Sequence, residues 1–305
     1  MTAASYAAVD WGTTSFRLWL VGENGDVLAE RRSHEGMTTA AKTGFSPILE
    51  AHLAAVGAPA HLPVVICGMA GARQGWVEAG YLDTPAPLSG IVGAAVIVPD
   101  PNRDIRILPG LAQRAEEQPD VMRGEETQLL GAAGTLGNGN HIVCMPGTHS
   151  KWVRLTGGVV DGFSTFMTGE LFDVVSKHSI LSHAVAEGGA FDGDNKSFIE
   201  AVIRAGRNPA MTTNLLFTVR AGQLLHGLPA LDAKARLSGT LIGLEIAGAL
   251  SSARPGSGVC LVASGPLSAL YRSALSALGL EPTIIDADDA VRRGLAAAAC
   301  TLWPA

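Results

Sequence analysis

One local pattern occurs twice in this chain, and a sequence that carries it twice has few folds open to it. Tyr6–Asp10 is an apolar run ending in an acid, Gly12-Thr13-Thr14-Ser15 a polar turn, Phe16–Val21 a second apolar run, and Asn24-Gly25 a hairpin signal leading into Asp26–Arg31. The same order returns at His141–Met145, Gly147-Thr148-His149-Ser150-Lys151, Trp152–Leu155, Gly157-Gly158 and Val159–Thr165. Each copy reads as strand, Gly-Thr turn, strand, Gly-containing turn, strand. The duplication predicts an α/β chain of two related lobes facing one another, each with its own loop.

The chemistry of those loops points to an anion. Glycine lets successive backbone N–H groups converge, and neighbouring Thr and Ser hydroxyls add donors. Gly12, Thr13, Thr14 and Ser15 form one such predicted cradle, and Gly147 and Thr148 the other, so that a polyphosphate could be held between two lobes. Asp10, at the end of the first strand, is placed to bind a divalent metal directly or through water. The second copy has Met145 and Pro146 where an acid would stand, so the metal is expected at the first lobe. Lys151 is then a source of positive charge from the second, toward either phosphate or substrate.

Composition narrows the partners. The chain has 305 residues, is 47% hydrophobic, and has a formal net charge of -6, enough apolar content for one large core or two medium ones. Without a long basic run, nucleic acid is an unsuitable partner and a small anion a suitable one. No basic segment followed by an apolar stretch opens the sequence, and apolar runs are interrupted before spanning length, so a cytoplasmic protein that stays out of membranes is expected. Cys67, Cys144, Cys260 and Cys300 show no Cys-x-x-Cys spacing, and three lie in apolar strand-like runs, which predicts buried, reduced thiols.

Between and beyond the repeats, Pro47–Val56 reads as a helix and Leu62–Cys67 as a continuous apolar strand that stops at Gly68-Met69-Ala70-Gly71-Ala72-Arg73. Arg73, just past that turn, could fork onto a carboxylate. Tyr81–Pro109 is expected as short strands with irregular connections, and a helix begins at Glu125-Glu126, where the helix dipole favours acids. Phe191–Leu250 is mostly helical in its spacing. Val259–Ala263 is a strand that passes through Ser264-Gly265-Pro266 into a helix, a geometry suited to a nucleotide's adenosine or phosphate. Asp288-Asp289 reads as a helix cap with a first-turn acid and is assigned no chemistry. The expected lobes are residues 1–118, carrying the first phosphate loop and the substrate side, and 119–288, carrying the second loop and the adenosine site, with the terminal helix 289–303 rejoining the first.

Two Gly-Thr loops followed by a Ser-Gly-helix turn, in that order, resemble the sugar kinase, heat-shock protein 70 and actin superfamily, whose actin-like ATPase (ribonuclease H-like) fold has duplicated mixed sheets and an interlobe cleft. Four stretches narrow the resemblance: Asp10-Trp11-Gly12-Thr13-Thr14-Ser15, Cys67-Gly68-Met69-Ala70-Gly71, Arg123-Gly124-Glu125-Glu126-Thr127-Gln128 and Met145-Pro146-Gly147-Thr148-His149-Ser150-Lys151-Trp152. Together they resemble the signature stretches of the 2-dehydro-3-deoxygalactonokinase family. That resemblance implies ATP-dependent phosphorylation, with Mg²⁺, of 2-dehydro-3-deoxy-D-galactonate at its 6-hydroxyl, a step in galactonate catabolism. It implies Glu125 as the catalytic carboxylate, with Glu126 the alternative, assisted by Asp10. Gly71, Arg73 and Lys151 fall on the substrate side, and Ser264 and Gly265 on the nucleotide side. Assembly as a homodimer is left open. Two other classes compete with the kinase: a phosphohydrolase of the exopolyphosphatase type, and an ATP-binding regulator without turnover.

Overall fold

The first repeat folds as β1 (Ala4–Trp11), β2 (Phe16–Gly22) and β3 (Val27–Ser33). β1 and β2 run antiparallel and put Asp10 opposite Arg17 and Trp11 opposite Phe16. β3 returns along β2 through the Asn24-Gly25 turn. The structure, a computed structural model, describes residues 3–251 and 256–304. Helices α1 (Met37–Thr43) and α2 (Phe45–Ala55) follow. α2 begins two residues before the predicted Pro47, because proline is tolerated in a helix's first turn, where its missing N–H has no partner to lose.

β4 (Val64–Gly68) lies parallel to β1 on the side away from β2. All five of its residues are buried, as a central parallel strand requires. It starts after Pro63 rather than at Leu62, since proline cannot donate to the ladder. The Pro- and Gly-rich stretch then gives short pieces: β5 (Tyr81–Asp83), β6 (Ala86–Pro87), α3 (Gly90–Gly93), β7 (Val96–Val98), β8 (Ile105–Ile107), β9 (Gly110–Gln113) and β10 (Asp120–Met122), before helix α4 (Glu125–Leu136). The first sheet has the order β3-β2-β1-β4-β8-β7, and a small sheet the order β10-β9-β5. Trp11, Phe16, Leu18, Leu49, Leu53 and Ile66 belong to the core of the first sheet.

The second repeat folds as β11 (Asn140–Met145), β12 (Ser150–Thr156) and β13 (Val159–Phe166), followed by helices α5 (Thr168–His178), α6 (Ser182–Val185), α7 (Lys196–Arg207), α8 (Thr212–His226) and α9 (Ala230–Leu250). β14 (Gly258–Val262), α10 (Gly265–Ala277), β15 (Thr283–Ile285) and α11 (Ala287–Leu302) complete the described chain. Strands run β15-β14-β11-β12-β13 across this sheet, with β14 parallel to both β11 and β15. In the first sheet the antiparallel meander β1-β2-β3 is extended on the β1 side by the parallel strands β4 and β8, with β7 antiparallel to β8 at the edge; in the second, β14 and β15 extend β11-β12-β13 on the β11 side. Its core gathers Trp152, Phe198, Val202, Ile242, Ile246 and Tyr271.

The chain packs as two compact units, one of Met1–Asn138, Thr156–Gly162 and Ala287–Ala305, the other of Gly139–Leu155 and Phe163–Asp286. Within the first, α11 crosses α4 at glycines. A Cβ on Gly131 would lie 1.9 Å from the Ala290 carbonyl oxygen, and one on Gly294 would lie 1.9 Å from that of Thr127. The two helix backbones thus touch, which a larger side chain at either place would prevent. Among the described residues no helix is long and apolar enough to cross a membrane. All four cysteines are free, three buried and Cys300 exposed.

Candidate active site

The turn Gly12–Ser15 joins β1 to β2 on an aromatic base. Trp11 is fully buried, its ring 4.8 Å from Phe16, 5.1 Å from Phe45 and 6.1 Å from Trp76, and its N–H donates to the Glu35 carbonyl. The carbonyls of Gly12 and Thr13 accept from the Met37 and Thr38 N–H groups at the start of α1. Tying the carbonyls back leaves Thr13, Thr14 and Ser15 exposed as a set of hydroxyls on a fixed turn.

Asp10 stands at the end of β1, one strand-register step from this turn. Its Oδ2 accepts from Arg17, the same guanidinium donates to Asp288, and Arg32 donates to Asp288 at 2.9 Å. Burial works against the Arg17 charge, yet Asp10 and Asp288 outweigh it and hold the guanidinium above its ordinary pKa. Asp288 therefore belongs to a charge chain, and both it and Asp289 lie in the first turn of α11, where a cap with a first-turn acid is expected from the sequence.

Two backbone turns close on Asp10. Gly68 ends β4 with φ of 90°, and a Cβ there would lie 2.7 Å from the Trp11 carbonyl oxygen and 3.4 Å from Asp10 Oδ1. Only glycine satisfies both the left-handed backbone and that approach. A Cβ on Gly124 would in turn lie 3.5 Å from the Gly68 Cα, which brings the start of α4 to the same place. Gly71 is buried: its Cβ position is 2.9 Å from Arg123 Nη1 and 2.8 Å from Ile107. Arg73 is exposed.

Glu125 and Glu126 leave the start of α4 in different directions. Glu126 is fully buried, accepting from the Gly124 N–H at 2.7 Å and the Thr127 hydroxyl at 3.1 Å. Burial first, and the Glu125 charge second, push its carboxyl up to about 8. Glu125 is half-buried and accepts from the Arg123 N–H at 3.1 Å. Arg123 donates to the carbonyls of Ala79 and Gly80 at 2.9 and 3.0 Å and lies 4.4 Å over the Tyr81 ring.

In the second unit the turn Gly147–Lys151 joins β11 to β12. Thr148 and His149 are exposed, while Ser150 and Lys151 are buried, and Lys151 Nζ donates to the His149 carbonyl at 3.1 Å. α5 begins against this turn. Glu170 N–H donates to the Thr148 carbonyl at 3.1 Å, Glu170 Oε2 is 2.5 Å from His149 Nε2, and a Cβ on Gly169 would lie 2.5 Å from the Gly147 carbonyl oxygen. Beside it opens a cavity of about 230 Å³ lined by Gly147, Thr168, Gly169 and Phe191, by Leu241 and Ile242 of α9, and by Leu267, Leu270 and Tyr271 of α10. Its walls are mainly apolar with a few polar groups, as those of small-molecule pockets are. Ser264 and Gly265 lead into α10, with the Ser264 hydroxyl donating to Asp286 at 2.8 Å.

Two residues beside these turns escaped the sequence reading. Arg17 was legible in principle, because a four-residue turn between Trp11 and Phe16 sets Asp10 opposite Arg17. Glu245 was signalled as the one acid in the apolar run Leu237–Leu250. Arg123 stood in one of the stretches that carry the resemblance, with no role of its own.

Among the described residues no cluster of three or more His, Cys, Asp or Glu side chains could hold a metal. One carboxylate, Asp10, remains beside the first turn, which fits a cation that keeps water and phosphate oxygens as its other ligands.

Known proteins agree with one another over nearly the whole chain. The family model described as 2-keto-3-deoxy-galactonokinase matches residues 10–298. A relative in Rhizobium meliloti (strain 1021), named as a probable 2-dehydro-3-deoxygalactonokinase, is 68% identical over 99% of both chains. The 2-dehydro-3-deoxygalactonokinase of Escherichia coli (strain K12) is 36% identical over 96% of both. A crystal structure described as a 2-dehydro-3-deoxygalactonokinase protein from Sinorhizobium meliloti superposes with a TM-score of 0.96 at 68% identity, covering 98% of this chain and 100% of that one. The duplicated meander sheets are those of the actin-like ATPase and sugar kinase fold, and by model and relatives alike the chain belongs to the 2-keto-3-deoxy-galactonokinase family.

Proposed function

We propose that this protein transfers the γ-phosphoryl group of ATP to the 6-hydroxyl of 2-dehydro-3-deoxy-D-galactonate. The observation that carries this reading is the 68% identity to a 2-dehydro-3-deoxygalactonokinase over 99% of both chains. The half-sites supply groups for each part of the chemistry. Phosphoryl transfer needs phosphate donors, an acid to orient the attacking hydroxyl, and a cation for the sugar-acid carboxylate.

The cavity beside Gly169 takes the base of the nucleotide, with Ser264 and Gly265 at the start of its α10 wall. Gly147 and Thr148 are the phosphate donors of the second unit, and the hydroxyls on the Gly12–Ser15 turn those of the first. Glu125 accepts the proton of the substrate hydroxyl. Glu126 is enclosed, and its bonds to Gly124 and Thr127 suit it to holding the turn from which Glu125 projects. Arg73 is exposed and takes the substrate carboxylate, while Lys151, held inside the second turn, adds positive charge beneath the phosphates. A magnesium ion, when bound, would neutralise phosphate charge, and Asp10 would hold it directly or through water.

The test is ADP release by the purified protein with Mg-ATP and either 2-dehydro-3-deoxy-D-galactonate, its gluconate-derived epimer, or no sugar acid. Release that depends on the first, with phosphate found on the 6-hydroxyl, is expected. ADP release at the same rate without any sugar acid would overturn the reading in favour of a phosphohydrolase.

A further inference from the structure

Beneath the apolar cavity of the second unit lies a polar cluster enclosed by core. Glu245, on α9, is 1% exposed. Its Oε1 accepts from the Trp152 indole N–H at 2.8 Å and its Oε2 from the Tyr271 hydroxyl at 2.8 Å. The hydroxyls of Thr168 and Ser150 also hydrogen-bond to this carboxylate, and Ser150 Oγ lies 3.1 Å from the Tyr271 hydroxyl. Burial pushes the Glu245 carboxyl above its ordinary pKa, against the pull of these four donors.

Each donor comes from an element that shapes the nucleotide side of the site. Ser150 and Trp152 begin β12, immediately after the second Gly-Thr turn. Thr168 opens α5, next to Gly169, whose backbone abuts the Gly147 and Thr148 backbone. Tyr271 is part of the α10 wall together with Leu267 and Leu270. Glu245 itself stands one helical turn beyond Leu241 and Ile242, which line the same cavity. An indole N–H can only donate, so Trp152 requires an acceptor at this point, and a carboxylate is the side chain able to serve four donors at once. A buried network with every member satisfied specifies one geometry, and one with a member missing does not.

We infer that Glu245 is a positioning residue of the nucleotide half-site, fixing the second Gly-Thr turn, the start of α5 and the α10 wall in a single mutual geometry that binds base and phosphates in register. This rests on the reading that the cavity takes the nucleotide. Glu245 touches no substrate in this account and acts through Tyr271, Thr168 and Ser150. Glutamine in its place keeps the volume but turns two acceptor sites into donors, which faces the Thr168, Ser150 or Tyr271 hydroxyls with the wrong partner.

The experiment is steady-state kinetics of Glu245→Gln and Tyr271→Phe, each checked by circular dichroism and thermal unfolding, with Gly169→Ala as a control on the cavity. In Glu245→Gln, KM for ATP should rise about tenfold while KM for the sugar acid stays within about twofold. Tyr271→Phe keeps the ring and the carboxylate, folds more readily, and should raise KM for ATP about threefold. Gly169→Ala presses on the Gly147 carbonyl and should also raise KM for ATP. If Gly169→Ala raises it while both other variants leave it unchanged, the role of Glu245 is overturned and the nucleotide reading stands. If all three leave it unchanged, both fall together. A fall in kcat with an equal rise in KM for ATP and for the sugar acid in Glu245→Gln and Tyr271→Phe would mark the network as merely structural and overturn the inference as well.

Discussion

Behind the first Gly-Thr turn stands a chain of charges, Asp10, Arg17, Asp288 and Arg32, with side chains between 14% and 55% exposed. Behind the second stands one enclosed carboxylate, Glu245, gripped by neutral donors. The backbone plan in front is the same in both. Partly exposed ion pairs are weak and exchange partners readily, whereas a satisfied buried network is stiff. The difference teaches how one duplicated hairpin can serve two tasks: the first copy sits in a field that another charge can rearrange, and the second sits in a frame that keeps a shape.

Replacing Asp10 of the charge chain should give the largest effect. If Asp10 acts as proposed, Asp10→Asn is expected to lower kcat by about a hundredfold or more while the melting temperature changes little. Steady-state kinetics beside thermal unfolding would check it, and normal turnover in a folded variant would remove Asp10 from the chemistry.

Glu126 tests whether the first unit also relies on burial. Its folded-state pKa of about 8 lies above the ordinary 4.5. The protonated form is therefore favoured on folding, and the contribution to stability is full below about pH 4.5 and is lost as pH rises through 8. Glu126→Gln should flatten that decline and make the protein more stable than the parent above pH 8, by a few kcal/mol at order of magnitude. Denaturant melts at pH 5, 7 and 9 would show it; identical pH profiles for the two proteins would mean that Glu126 does not titrate there.

Removing the obligatory donor of the second network sharpens the comparison from the other side. Trp152→Phe leaves one oxygen of Glu245 short of a partner and should cost about 1–3 kcal/mol of stability. The loss should be the same at low and high salt, since a buried pair is little screened. A loss that faded in salt would put the second half-site in the same class as the first.

The smallest effect is expected at Arg32, more than half exposed where it meets Asp288. Arg32→Met should change stability by less than about 1 kcal/mol and vanish as a difference at high salt. A larger change would show the charge chain to be as rigid as the buried network.

What could be read from the residues was whatever depends on neighbours in sequence. The two hairpins, the strand ending at Gly68, the helix starting at Glu125 and the turn into α10 follow from apolar runs and the glycines between them. Arg17 depends on counting across a turn, and Glu245 on knowing that β12, α5 and α10 converge on one side of α9, which no local pattern contains. Gly71 shows the opposite limit. It lies in a stretch suggestive of substrate contact, yet Ile107 and Arg123, both distant in sequence, close over it. The different directions of Glu125 and Glu126 were implied by helix geometry, but which of them faces inward was decided by the packing of α4.

The glycine crossing of α4 and α11 bears on how the protein is made. α4 carries Glu125 and Glu126 at its start, and its backbone contact at Gly131 is completed by Ala290 and Gly294. The ribosome works in one direction, so the second unit, which ends at Asp286, has been synthesised in full before α11 exists. The unit begun first is thus finished last, and until then α4 waits on a nascent chain without its partner.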